Sequence, residues 1–455
     1  MQKRRILPLT RVVMVFGVGA SGLTGIVGGV LGTLLLFRST PNLAGLAWTL
    51  HPDIMVFGFL TLFICTVATS LLPKLNRAHA HPKLGFTSTL LLTLATLLWL
   101  TLQATPIVGD LALLASTLFF LTITATSIRR PRNTLGYGNI YIAAGALTLT
   151  LLATVKVFTD THNPYAEWGD YAYTWLAVAG FPTSMILGVW QHTAHFRGVN
   201  PRRMLSAVSA TLWCTTLTTY SLSLFTKTYA PRLAEAGALV GVAAVATFLH
   251  NLSAFTPVTP PSRWAFDPNR WRYTWFDRSI RLASTWLAVG VGLQALYSTG
   301  FGWGYLGGVN IMDAWVHTTT VGFYLIVISG YAPILLPVML RGKPSSIKPT
   351  LIPQILVSVG VGLRIIGDLL PFISHYTVIL RDYSSLPVFA AVILYMLSLH
   401  GRDAHNTKGA RITRTLGKSP LSTPAARYTT STHKSGPKIP KANRSKILIK
   451  KNILS

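Results

Sequence analysis

Long uncharged apolar runs recur along this chain, and they decide what it can fold into. One of them, at 46–73, reads LAWTLHPDIMVFGFLTLFICTVATSLLP. About twenty apolar residues in a helix match the hydrocarbon thickness of a bilayer. Within that thickness every backbone N–H and C=O must be bonded inside the protein, so helices or a closed barrel are the options. These runs are far too long for barrel strands and lack a two-residue alternation, so the chain is expected to be an all-α, polytopic membrane protein.

The charges support this reading. Only 11% of the 455 residues are charged, with 40 Lys and Arg against 12 Asp and Glu. A soluble domain carries about 25%. The net charge of +28 invites a nucleic-acid partner, but no nucleic-acid partner is expected. Thirteen of the basic residues fall in the last 55 positions, beside one acid, Asp403, and most of the others sit in every second loop, on one side of the membrane. That alternation is the positive-inside pattern. Cys65 and Cys214 both lie inside apolar runs, so neither a disulfide framework nor a thiolate metal site is indicated.

Taken in order, the hydropathy predicts about 12 transmembrane helices, at 12–37, 47–72, 84–105, 107–128, 136–158, 171–196, 204–225, 233–255, 280–306, 311–340, 350–372 and 384–400. The sequence Gln2-Lys3-Arg4-Arg5 before the first span places the N-terminus in the cytoplasm, and an even count returns the C-terminus there. The expected localisation is a cell membrane, with residues 1–400 as the transmembrane domain. The Trp- and Arg-rich loop 256–278 suits the headgroup interface. Residues 401–455 read as a disordered basic cytoplasmic tail close to anionic lipid, and membrane lipids are the partner implied throughout.

Ionisable groups inside spans are costly and mark function. His51 lies in the second span and His317 in the tenth, where 316–337 reads VHTTTVGFYLIVISGYAPILLP. Each histidine is followed by Gly-Phe and a closing Leu-Leu-Pro. His51 precedes Pro73 by 22 residues and His317 precedes Pro337 by 20. At the helical rise the two therefore differ in depth by roughly 3 Å. Two imidazoles at one depth on two helices suit the axial positions of a haem, with a b-type group as the expectation. The alternative is that each merely bonds water or a carbonyl at the interface. Gly58 and Gly322 would admit either a flat macrocycle or a neighbouring helix.

A second group comprises His192 and His195, three apart at the end of span 6, and His250 in span 8. An i,i+3 pair plus a third imidazole would suit copper. Solvated helix ends are the competing explanation. In span 11, Arg364 precedes Asp368 by one turn, which fits an ion pair, or a guanidinium facing a haem propionate. Asp53 and Asp313 would orient an imidazole through its second nitrogen, or act as acids at helix N-termini.

The stretches LHPDIMVFGFLTLFICTVATSLLP and VHTTTVGFYLIVISGYAPILLP, with GLRIIGDLLPF in span 11, resemble the NnrS family, haem- and copper-containing membrane proteins linked to nitric oxide metabolism. More distantly they resemble subunit I of the haem–copper oxidases. The resemblance implies an oxidase-like bundle, in which histidines on spans 2 and 10 hold a low-spin haem, the positions His51 and His317 match. A respiratory subunit of that kind would need a quinol or cytochrome as electron donor. The chain departs from the oxidase pattern at Trp315, where a second histidine would stand, and in span 7, which has no histidine. Both departures argue against an oxygen-reducing centre. Nitric oxide or redox handling through a bis-histidine haem is the function expected. A respiratory catalytic subunit and a transporter or metal permease remain as alternatives, the latter encouraged by Pro333 and Pro337.

Overall fold

The computed structural model describes residues 8–36, 50–101, 106–128, 136–162, 167–226, 228–258, 271–300, 308–341, 351–370 and 375–400. Every regular element among them is helical. The helices are α1 (Pro8–Leu36), α2 (Leu50–Leu75), α3 (Pro82–Thr101), α4 (Ile107–Ile128), α5 (Tyr137–His162), α6 (167–193), α7 (Arg203–Ser223), α8 (Ala230–Asn251), α9 (Trp271–Ser298), α10 (308–341), α11 (Ile352–Leu369), α12 (His375–Tyr383) and α13 (Ser385–His400). The tail at 401–455 lies outside the described residues.

Nine of these helices are long and apolar enough to cross a membrane, by length and composition among the described residues. The chain is thus an all-α polytopic membrane protein. The predicted spans 204–225, 280–306 and 384–400 correspond to helices α7, α9 and α13, which fall outside the nine. Threonine and serine dilute α7, α9 carries Arg272, Asp277, Arg278 and Arg281, and α13 has only 16 residues. α9 also begins at Trp271, so the part of the expected interfacial loop from Trp271 onward is the first turns of a long helix.

Local sequence sets the helix ends. Proline opens α3 and stands in the first turn of α8 and α11, where its missing N–H costs nothing and its fixed φ suits the helix. After α6 a 3-10 turn, Ala194–Arg197, stops at Gly198, whose φ of +76° a side chain would strain. Sequential helices pack as antiparallel neighbours: α3 on α4, α4 on α5, α5 on α6, α7 on α8 and α9 on α10. The most buried membrane helices are α2 and α6, each with 78% of its apolar window inside the bundle, against 33% for α1.

Three central helices change their winding partway. Ile54–Thr61 of α2, Leu176–Gly180 of α6 and Thr318–Leu325 of α10 are π-helical. Such segments are rare, and they occur frequently at functional sites. Gly58 and Gly322 are each the fifth residue of their eight-residue segments. Aligned on those segments, His51 precedes its segment by three residues and His317 by one. That two-residue offset turns the side chains by roughly 200° about the helix axis. The two helices are therefore not copies of one unit.

Candidate functional site

The expected pair of histidines sits in a charged cluster at one end of the bundle. His51 lies in the first turn of α2, and its ring rests on α1. The imidazole Nδ1 donates to the Gly28 carbonyl at 2.8 Å. Gly32 makes room for the ring, because a Cβ there would stand 2.7 Å from His51 Cε1. His317 lies at the start of the π-helical part of α10. Its Nδ1 donates to the Asp313 backbone carbonyl at 3.0 Å and lies 3.1 Å from Asp313 Oδ1. Electrostatic interactions link His51 to His317, Asp313 and Arg364.

Both imidazoles thus have Nδ1 tied to oxygen acceptors. That fixes the tautomer with the proton on Nδ1 and leaves the Nε2 lone pair as the basic atom. A ligating histidine is normally arranged in this way.

Arg364 of α11 completes this half of the cluster. Its Nε donates to Asp313 Oδ2 at 2.7 Å, and Nη2 lies 2.5 Å from the same oxygen. The Arg364–Asp368 pair foreseen one turn apart is present at 3.3 Å, with Asp368 buried. Arg364 is therefore engaged with two protein carboxylates, and it reaches His317 through Asp313. Asp313 contacts His317 through both its backbone carbonyl and its carboxylate. Asp53 has a different partner, Lys156 of α5, at 3.2 Å.

Lys156 and its surroundings did not feature in the sequence reading. Besides Asp53 it faces the buried Asp110 of α4 at 3.9 Å and lies over the Trp99 ring of α3, 5.4 Å from its centroid. Trp99 Nε1 donates to Asp110 Oδ1 at 3.0 Å. A lysine between Val155 and Val157 in an apolar run was the available signal.

The two glycines pack helices. A Cβ on Gly58 would meet Thr96 of α3 at 2.7 Å, and Thr24 of α1 donates to the Gly58 carbonyl at 2.6 Å. A Cβ on Gly322 would meet Trp286 of α9 at 3.1 Å. Helix–helix approach accounts for both.

The second histidine group is not brought together. Among the described residues no group of three or more His, Cys, Asp or Glu could hold a metal ion. The α-helix ends at Thr193, and His195 lies exposed in the 3-10 turn that follows, with Nδ1 donating to the His192 carbonyl at 3.0 Å. His192 Nε2 donates to Asn139 Oδ1 at 3.0 Å, and Asn139 Nδ2 to Asn76 Oδ1 at 3.0 Å, so this histidine joins α6 to α5 and α2. His250 is exposed on α8.

Nearby, Arg197 is buried and saturated. It bonds Asp277 Oδ1 at 2.9 Å and the carbonyls of Leu252, Ser253 and Thr256 at 2.9, 3.1 and 3.2 Å. It locks the end of α6 to α9 and to the turn after α8. No protein-family model matches the chain, and no curated protein does.

Proposed function

We propose that this chain is a haem-binding membrane protein of about 12 spans, with both termini cytoplasmic, handling nitric oxide or redox equivalents, as in the NnrS family it resembles. His51 and His317 would hold the haem iron in this reading. The observation that carries it is the shared state of the two imidazoles: each Nδ1 is held by oxygen acceptors and each Nε2 is left as a ligand atom. The donor set fits a haem iron, which takes two neutral imidazoles in a six-coordinate, electron-transferring site.

The protein residues divide the work. Gly28 and Gly32 of α1 position the His51 ring, one by its carbonyl and the other by its lack of a side chain. Asp313 orients His317 through its carbonyl and carboxylate. Arg364 holds Asp313 in place from α11. A bound haem would contribute one-electron chemistry at this point. Copper at His192, His195 and His250 finds no support in the geometry, and the donor remains a quinol or cytochrome by resemblance alone.

The test is the absorbance of the purified protein. A Soret band that disappears in His51→Ala and in His317→Ala, with both variants folded, supports the assignment. Folded, colourless wild-type protein after expression with haem supplied sinks it.

A transporter is the second reading, favoured by one observation: Lys156, Asp53 and the buried Asp110 form a charged group across α2, α4 and α5, beside the interrupted helix α2. Buried charges at broken helices are a feature of transport sites. Substrate uptake by proteoliposomes that is lost in Asp110→Asn, without any pigment, would favour it.

A further inference from the structure

The outward faces of the membrane helices are not all alike. α3 turns Leu90, Leu94 and Leu97 outward, and α11 turns Ile352, Ile355 and Val359. Three consecutive helices differ. Midway along α7 the exposed residues are Thr211, Thr215 and Thr218. On α8 they include Ala236, Ala243 and Ala246, with Leu239 and Val242 between them. On α9 they include Thr285, Ala288 and Gly292, and a Cβ built on Gly292 meets nothing within 4 Å. α8 packs on both α7 and α9, so the three faces adjoin with α8 between the other two.

Small side chains bring no advantage toward lipid. Between helices they do, because association in a bilayer rests on close packing, and helix interfaces there are enriched in Gly, Ala, Ser and Thr. The threonine hydroxyls do not hinder such contact. Those of Thr215 and Thr218 donate to carbonyls of their own helix at 3.0 and 2.9 Å.

The charges say what meets this face. Arg232 and Glu235 lie in the first two turns of α8, both exposed, and neither has an ion-pair partner among the described residues. With 3.6 residues per turn, they and Ala236, Leu239, Ala243 and Ala246 fall within about 100° of the helix circumference. Charges left facing lipid inside a span are costly. Two opposite charges one turn apart on one face are complementary to a copy of themselves. In a two-fold pair of chains with the same orientation in the membrane, α8 meets α8 in parallel, and residues at similar levels come together. Arg232 and Glu235 differ in level by about 4.5 Å, which both long side chains can span. Arg232 of each copy then faces Glu235 of the other, and two ion pairs form.

We propose that the chain forms a homodimer in the membrane through α8, with the small faces of α7 and α9 packed on either side. The dimer does not depend on the haem reading, since His51 and His317 lie on α2 and α10.

Single-molecule photobleaching tests it, with the full chain carrying one fluorophore per copy and diluted in lipid bilayers. Two bleaching steps should predominate at densities where independent molecules rarely coincide. Glu235→Arg leaves two like charges on each α8 face, and should raise the dissociation constant by about tenfold or more; Arg232→Glu should do the same. The combined variant Arg232→Glu, Glu235→Arg exchanges the signs and should recover the dimer. Ala243→Trp should weaken the dimer by holding the helices apart, whereas Leu94→Trp on α3 should leave it unchanged. All four positions are exposed, so the fold should tolerate each variant, which the helix signal checks. One-step bleaching of the wild type would leave this face to lipid or to another protein. A dimer indifferent to Glu235→Arg or to Ala243→Trp would use another surface, and a sign exchange without recovery would mean that Arg232 and Glu235 do not pair. Any of these results overturns the proposal.

Discussion

Replacing Lys156 by methionine removes one cation from between two carboxylates and keeps nearly the same volume. The lysine nitrogen lies 3.2 Å from Asp53 and 3.9 Å from Asp110, with only 13% of its side chain exposed. With an effective dielectric constant of about 20, those separations correspond to roughly 5 and 4 kcal/mol of gross attraction. Part of that is offset by the desolvation of three charged groups. Removing one partner of a buried pair typically costs about 3–5 kcal/mol, because the other charge is left uncompensated. Lys156→Met should therefore destabilise the protein by about that much in graded detergent unfolding. The decisive comparison is the triple variant Lys156→Met, Asp53→Asn, Asp110→Asn. It buries no net charge, and should recover most of the loss, since neutral replacement of a buried ion group is often tolerated. The Trp99 N–H keeps an oxygen acceptor in that variant. If Lys156→Met unfolds like wild type, or if the triple variant is worse than the single one, the charged group does not hold α2, α4 and α5 together.

Three further outcomes follow from the same geometry. Gly32→Leu should displace the His51 imidazole, since even a Cβ comes within 2.7 Å of it, and abolish the Soret band of haem-loaded protein while the far-ultraviolet helix signal persists. Arg197→Ala strands three backbone carbonyls and half of the Asp277 pairing, and unfolding should show a loss of about 3–5 kcal/mol, only partly relieved by Arg281 at 3.0 Å from Asp277. His195→Ala and His250→Ala, both at exposed positions, should each change stability by less than about 0.5 kcal/mol and leave any metal content unaltered by elemental analysis.

The parts of the architecture that were legible in the sequence follow from one-dimensional physics. Apolar length and basic flanks marked the helices, because a bilayer demands both. The pairing of Arg364 with Asp368 and the contact of Asp313 with His317 were also legible, since residues four apart share a helix face. What escaped depends on neighbours distant in sequence. Lys156 meets Asp53 across 103 positions, and nothing local to either predicts it. The π-helical segments escaped because a change of winding has no composition signature. The three-histidine group needed His250 of α8, which is exposed, and no local pattern in the sequence says where a second helix will place its side chain. Gly58 and Gly322 were read correctly as sites of close approach, and only the packed bundle shows that the approaching groups are threonines and a tryptophan.

The central claim is that His51 and His317 share one iron. It is tested most directly by magnetic circular dichroism of the oxidised, haem-loaded protein in the near infrared, where ligand-to-iron bands identify the axial pair. The account predicts a single low-spin haem with two imidazole ligands, converted to a high-spin or unliganded form in His51→Ala and in His317→Ala alike. A wild-type spectrum without bis-imidazole ligation, or one that survives either substitution unchanged, would contradict it.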